Sequence, residues 1–501
     1  MRYIALTLGP ITRVISLAQT TRGMWAASYL FSYLAKHIIE PFKDRTFLLP
    51  YLDSDMLTAQ FGGAGVFPDR YIFEAEEDDF DNLSTRIKNV IEDLAKKIAP
   101  NDVDCANTML MQYLKFYFFN TEKRIIDEGD AQRDETDREL VERCENQLAL
   151  LEQHESFIPS IPENKHYLSR LINCERLAPM QFLLEDANIG QFKSIVNITS
   201  GDDGYGKEIV PQTPYQRYIA IVYADGDSMG KAFAKAENSK VLSNKLLQFN
   251  KKAIESINDF EGQPVYIGGD DLFFFAPIYK PGKGSIFTLL NTLDNNFHDA
   301  IGKDSPATLS FGVSITYYKY PMSEAVQNSQ LLLNKAKNYG DNLLDNPLKN
   351  NVLFSVQKHS GQTRFALMHK GCTKTMEKTN KFIDTYIVTD NNDDLLLVTS
   401  AMHNLREHEP VLLNAISDIN LLKNYFDNNY NEPVHGAYEN FFNDVRDLLH
   451  IAYQEYSGKT DRLKNSLESP IEGRLAGHDA AYAAIDLCYS ALQFIHLVNK
   501  K

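Results

Sequence analysis

The sequence predicts an α+β fold in which two strand-bearing regions are joined by a helical, irregular insertion and followed by a helical bundle. Three observations predict it. Between Pro264 and Ala276, two short apolar runs flank Gly268-Gly269-Asp270-Asp271, the pattern of a β-hairpin closed by a tight turn. Upstream, the run beginning at Tyr218 is continuously apolar and rich in β-branched and aromatic residues, as a central strand buried on both faces requires. From residue 375 onward strand alternation gives way to helical runs.

The remaining elements follow in chain order. Residues 2–8 read as a strand, and a helix through Trp25, Tyr29, Leu30, Tyr33 and Leu34 carries an apolar stripe. Arg13 and Arg22 near its start are surface arginines or ligand contacts in equal measure. Phe47–Leu52 and Tyr71–Phe73 read as further strands; Asp53 and Asp55 lie near the first, without a Gly-Gly hairpin. Residues 80–155 read as helical. Within Thr121–Leu140, twelve of twenty side chains are charged, which predicts a solvated helix or a mobile connection. Residues 156–212 read as a small irregular insertion ending in the Ser200–Gly206 loop.

After the buried strand and the hairpin, Leu309–Ile315 alternates like a half-buried strand. Ser323 reads as the N-cap of a helix running through Leu332, Leu333 and Ala336 to Gly340. Phe354–Gly361 reads as a closing strand. Helices are expected over Leu395–Leu405, Val411–Phe426, Tyr438–Tyr456 and Ala476–Val498. The expected domains are 1–120, 121–212, 213–362 and 363–501.

The bulk numbers set limits. At 501 residues the chain is too long for one core. A net charge of −16 argues against a protein that coats nucleic acid by itself, since binding phosphates takes clustered cations. The five cysteines, at 105, 144, 174, 372 and 488, form no Cys-x-x-Cys pair and read as reduced thiols of a cytoplasmic protein. No run approaches the roughly 20 apolar residues of a membrane span, so no membrane role is expected.

The chemistry gathers at two places. The strand from Tyr218 ends in Asp225-Gly226-Asp227 and turns into a helix at Ser228-Met229-Gly230-Lys231. Carboxylates at a strand end hold a hard cation through oxygen, while N–H groups at the following helix start receive phosphate oxygens. The hairpin turn lifts Asp270 and Asp271 onto the lip of a sheet, and adjacent carboxylates repel unless a cation lies beside them. Asp225 or Asp227 together with Asp270 and Asp271 would form the one-metal or two-metal cage used in phosphoryl and nucleotidyl transfer. An ordinary surface turn is the bland alternative for the hairpin alone. Lys337, one turn before Gly340, is either solvated or reaches a triphosphate.

These pieces, in this order, resemble the palm domain of GGDEF-type nucleotidyl cyclases, and more closely the large subunit of type III CRISPR effector complexes in its Cmr branch. Gly-Gly-Asp-Asp in place of Gly-Gly-Asp-Glu-Phe favours the CRISPR branch, as does Phe354–Gly361. Leu8–Ile11 through Thr20–Leu30, and Gly65–Tyr71, resemble signatures of that family's first palm. The resemblance implies two ferredoxin-like palms, the first without catalytic carboxylates. It implies a type III-B subunit using ATP with Mg²⁺ or Mn²⁺ at Asp225, Asp227, Asp270 and Asp271, of which Asp225, Asp270 and Asp271 are catalytic. Gly226, Ser228, Met229, Gly230, Lys231, Gly268, Gly269 and Lys337 would contact the nucleotide. The implied product is a second messenger: a cyclic oligoadenylate, or AMP joined to S-adenosylmethionine. Implied partners are other Cmr-type subunits, guide RNA and target RNA, with the C-terminal bundle meeting small helical subunits and the RNA duplex. Relatives often hold zinc in the insertion; with only Cys174 between 156 and 212, no zinc is expected. Many relatives begin with a His-Asp nuclease domain; here no His-Asp pair precedes the first palm, so no DNase activity is expected. The alternatives are a catalytically silent scaffold in the same complex and a free-standing GGDEF-like cyclase.

Overall fold

The computed structural model describes all residues except 51, 53–62, 129–130, 154–160, 163–164, 175–177, 191, 201–209, 236–238, 303, 339–348, 359–362, 388–391, 431–438, 460–478 and 500–501. Asp53, Asp55, most of the Ser200–Gly206 loop, Gly340 and Gly361 therefore lie outside the described residues.

The N-terminal sheet holds β1 (Arg2–Gly9), β2 (Phe47–Leu49), β3 (Arg70–Ala75) and β4 (Lys115–Glu122) in the order β2-β3-β1-β4. β1 pairs antiparallel with β3 and β4, placing Ala5 opposite both Ile72 and Phe119. Helix Thr21–Ile39 connects β1 to β2, and helices Asp79–Ile98 and Val103–Tyr113 connect β3 to β4, so this is a ferredoxin-like βαββαβ unit. Thr20 caps the first helix, its hydroxyl accepting from Gly23 N at 3.0 Å. Trp25 is fully buried and donates through Nε1 to Gly63 O at 2.6 Å.

The reading of 80–155 as helical is corrected here. The run Phe116-Tyr117-Phe118-Phe119 forms strand β4, because aromatic residues fit a pleated, half-buried surface and β1 offers a free edge. The charged stretch after it folds as the hairpin β5 (Ile125–Glu128) and β6 (Ala131–Asp134), then enters helix Asp137–Gln153. Its charges are partly neutralised in place: Arg143 Nη2 pairs with the buried Glu135 at 2.7 Å, and Arg133 with Glu139 at 2.7 Å.

The second sheet runs β14-β13-β12-β7-β9-β8, built from β7 (Tyr218–Asp227), β8 (Gln263–Gly268), β9 (Asp271–Pro277), β12 (Thr308–Tyr317), β13 (Asn351–Gln357) and β14 (Thr363–His369). A two-residue ribbon, β10 (Tyr279–Lys280) with β11 (Gly284–Ser285), leads into helix Ile286–Ile301. The four strands β7, β8, β9 and β12 repeat the ferredoxin-like order, and β7 is central as its apolar run requires. β12 is buried along its length rather than half-buried. Its small residues face helix Met322–Lys337: Asn328 Nδ2 of that helix donates to Ser314 Oγ at 3.0 Å, and Ser329 Oγ lies 2.8 Å from Gly312 O and 2.9 Å from Ile221 O, either of which can take its proton. That helix begins at Met322 with Pro321 before it, so Ser323 lies inside the first turn rather than capping it. The helix is the crossover between parallel strands β12 and β13. β14 adds an antiparallel sixth strand past residue 362.

Helices Thr373–Tyr386, Asn392–Glu407, Glu409–Ala415, Ile419–Asn429 and Glu439–Ser457 pack around helix Asp479–Asn499. This last helix is, among the described residues, the one long and apolar enough to cross a membrane, contrary to the expectation that no run would be. It is buried inside the molecule instead. Arg364 on β14 ties the bundle to the sheet through Asp486 at 3.0 Å and stacks over Tyr489 at 4.3 Å.

The two palms share a seam. Gly65 bridges to Tyr266 on the outer edge of β8: Gly65 N donates to Val265 O at 3.3 Å and Ile267 N donates to Gly65 O at 2.9 Å. The edge strand is thereby covered by the first palm rather than left open.

Candidate active site

The hairpin β8–β9 closes with Gly268 opposite Asp271, leaving Gly269 and Asp270 as the two loop residues. Gly269 takes φ +65°, a value that an L side chain resists. Its peptide is gripped from behind by Asn250 on helix Ser239–Asp259. In the amide orientation that satisfies both groups, Asn250 accepts from Gly269 N at 2.9 Å and donates to Gly269 O at 2.8 Å. Asn250 is only 3% exposed, so the turn rests on a fixed support. No motif flags this residue in the sequence; it is one polar residue in an amphipathic helix.

Gly226 is required for a different reason. A Cβ there would lie 2.4 Å from Asp270 Oδ2 and 2.7 Å from Asp270 Cβ. The Asp270 side chain therefore occupies the space that any other residue at 226 would fill. At Gly268 a Cβ would meet the Tyr266 hydroxyl at 2.4 Å, so Tyr266 packs directly under the turn.

The electrostatics are those of crowded carboxylates. Burial, followed by the charge of Asp225, pushes the Asp270 carboxyl up to about 6, although a Gly226 backbone hydrogen bond and Lys337 oppose the shift. Asp271 keeps a solvent-facing side, yet the protein mass around it desolvates the carboxyl. That desolvation, with the charges of Asp270 and Asp225, raises it well above the ordinary range. Asp69 of the first palm adds a smaller push on Asp271 across the seam, another contribution the sequence did not announce.

The two acids of Asp-Gly-Asp have separate duties. Asp225 pairs with Lys337, whose Nζ also donates to Gly226 O at 3.0 Å. Asp227 is 1% exposed and turned inward. Its Oδ2 accepts from Thr308 Oγ1 at 2.8 Å, Ser310 Oγ at 2.7 Å and Asn350 N at 2.9 Å. That is an anchor joining β7, β12 and the start of β13. Asp227, expected as an alternative metal ligand, is engaged through Oδ2 while its buried Oδ1 has no hydrogen-bond partner among the described residues, and Asp225 is the one whose charge reaches Asp270 and Asp271.

Ser228 adopts φ +57° at the turn out of β7, and its carbonyl accepts from Lys231 N at 3.0 Å and Ala232 N at 3.1 Å. The helix it opens, Met229–Lys235, starts beside the carboxylates, with Gly230 and Lys231 exposed. Met229 packs toward the Gly226 cradle.

Among the described residues no three His, Cys, Asp or Glu side chains are gathered at metal-binding distance. Asp225 faces Lys337, and the other two acids form the turn. The donor set would nevertheless suit a hard divalent cation: the candidate donors are all oxygen, and burial and mutual repulsion disfavour the ionised form of the two adjacent carboxyls unless a cation lies beside them.

Comparison with known proteins bears on this geometry. The second palm domain of Cas10/Cmr2 matches residues 218–344, and the N-terminal region of the CRISPR-associated protein Cmr2 matches residues 3–100. Over these two stretches the chain resembles the Cas10/Cmr2 family. Within that family, the CRISPR system Cmr subunit Cmr2 of Pyrococcus furiosus is 25% identical over 182 residues. The match spans 30% of this chain and 20% of that relative. A type III-B Cmr-beta structure in the apo state superposes with a TM-score of 0.50 at 10% identity, covering 100% of this chain and 82% of the other. A Csm1–Csm4 cassette in complex with pppApA gives 0.50 at 12% identity, covering 90% of this chain and 69% of that one. The stretch matched by the second palm domain, 218–344, takes in β7, the β8–β9 hairpin with its Gly268–Asp271 turn, and β12.

Proposed function

We propose that the chain is a nucleotidyltransferase that consumes ATP to make a second messenger inside an RNA-guided type III-B complex. The observation that carries this reading is the Gly268–Asp271 turn. It presents two carboxyls of raised proton affinity beside Asp225, on a support fixed by Asn250 and a cradle cleared by Gly226. A purely structural turn gains nothing from concentrating negative charge there.

Asp225, Asp270 and Asp271 would hold Mg²⁺ or Mn²⁺. Bound there, the cation would neutralise triphosphate charge and lower the pKa of an attacking ribose hydroxyl. Lys337 supplies a positive charge at the same lip, aimed at Asp225 until a nucleotide competes for it. The turn at Ser228–Lys231 offers backbone N–H groups to phosphate oxygens, and Gly268 and Gly269 permit close approach. The product is a cyclic oligoadenylate or AMP joined to S-adenosylmethionine. The first alternative draws support from the pppApA-bound Csm1–Csm4 cassette that shares the fold. Partners would be other Cmr-type subunits, guide RNA and target RNA in the cytoplasm.

The second reading, a scaffold that binds nucleotide without turnover, is favoured by one observation: Asp225 is held by Lys337, and among the described residues the three acids do not stand at metal-binding distance from one another. Supplying the assembled complex with labelled ATP, Mn²⁺ and target RNA, with and without S-adenosylmethionine, and identifying products by mass separates the two. Lys337→Ala should mainly weaken ATP binding. If wild type makes no product while binding ATP normally, the scaffold reading stands.

A further inference from the structure

Lys337 is the last residue of helix Met322–Lys337, and that last turn is held from behind by a buried polar chain. Asn351, fully buried at the start of β13, donates through Nδ2 to Ala336 O at 2.7 Å, the carbonyl immediately before Lys337. Its Oδ1 faces His369 Nδ1 on β14 at 2.8 Å, so that ring nitrogen carries the proton. Its backbone N donates to Ser310 Oγ at 3.2 Å, and Ser310 in turn donates to Asp227. The same helix lies so close to β12 that a Cβ on Gly312 would fall 2.2 Å from Leu333 N and 2.3 Å from Ser329 O. Backbone packs on backbone there, and the helix has no side-chain cushion in which to slide.

We propose that Asn351 is a positioning residue for Lys337. By fixing the Ala336 carbonyl between β13 and β14, it sets where the Lys337 ammonium stands relative to Asp225 and Gly226. A polar group fully removed from water is costly unless its bonds are made, so both partners of Asn351 constrain it at once. The consequence for nucleotide binding rests on the proposed ATP site; the consequence for Lys337 itself does not.

The control is Asn328, on the same helix, whose Nδ2 bonds Ser314 Oγ at 3.0 Å and Ser355 Oγ at 2.9 Å well away from Lys337. Asn351→Ala and Asn328→Ala in the full chain are treated with an acetylating reagent, and each lysine is followed by mass spectrometry. Acetylation of Lys337 should quicken severalfold in Asn351→Ala and stay at the wild-type rate in Asn328→Ala. Binding of a non-hydrolysable ATP analogue with Mn²⁺, measured by calorimetry, should weaken by about tenfold in Asn351→Ala. It should not weaken further when Asn351→Ala is added to Lys337→Ala, because the two act through one group. An equal rise in Lys337 acetylation in both variants, or none in Asn351→Ala, overturns the proposal. If Asn351→Ala does not fold, Asn351→Ser is judged by the same comparison. If wild type binds no ATP analogue, the functional reading fails while acetylation still decides the role of Asn351.

Discussion

Asp270 and Asp271 hold their protons more tightly in the folded chain than an ordinary carboxyl does, and this gives their charge a measurable signature. Asp270 moves from 3.8 to about 6, and Asp271 moves in the same direction. A group whose folded pKa is raised contributes its full stability below the unfolded value and loses it as pH climbs through the folded value. Without divalent cation, the melting temperature of wild type should therefore fall between about pH 4 and pH 7 relative to Asp270→Asn/Asp271→Asn. Adding Mn²⁺ at pH 7 should recover the difference in wild type alone. Parallel curves for the two proteins, unmoved by Mn²⁺, would show that the turn carries no such electrostatic load. At this scale the sequence exposed the acids and glycines, because turn chemistry is local. It left Asn250 and Asn351 invisible, because each meets the site from a distant element and neither belongs to a motif; Tyr266 and Asp69 lie inside stretches the sequence singles out, but their reach to the turn is a tertiary fact.

Helix Met322–Lys337 shows how an element carries the site. Its contact with β12 depends on Gly312, where any side chain would meet helix backbone. Gly312→Val should destabilise the chain by at least about 1–3 kcal/mol, the range for overpacking a filled core, read as a lowered midpoint in urea. Val313→Ile, one residue along the same strand, serves as the comparison; equal midpoints for the two would mean that the helix can lift off without cost. The strands of both palms were legible wherever an apolar run ended in turn residues, as at β7 and β8–β9. β4 was missed because Lys115–Glu122 follows a helical stretch without a strong break, and its pairing with β1 is a tertiary fact. β12 alternates in sequence yet is buried on both sides, since its serines and glycine face a helix rather than water.

Across the whole molecule, the seam at Gly65 and β8 ties the hairpin that carries the Gly268–Asp271 turn to the first palm. The chain as a whole carries a net charge of −16. The isolated chain should bind RNA weakly and lose that binding steeply with salt, whereas the assembled complex should bind tightly. Nanomolar affinity of the lone chain at physiological salt would contradict this, and fluorescence anisotropy at two salt concentrations is sufficient to tell. On the function proposed, the Gly268–Asp271 turn carries nucleotidyl transfer. Its most direct test is product formation from labelled ATP by complexes containing wild type or Asp270→Ala/Asp271→Ala, each loaded with guide RNA and given target RNA and Mn²⁺. Loss of an electrostatic term at the reacting centre costs at least ~3–4 kcal/mol of barrier, roughly a hundredfold to a thousandfold in rate. The double variant should assemble and capture target RNA like wild type yet make at least about a hundredfold less product; near-wild-type product from that variant would contradict the assignment.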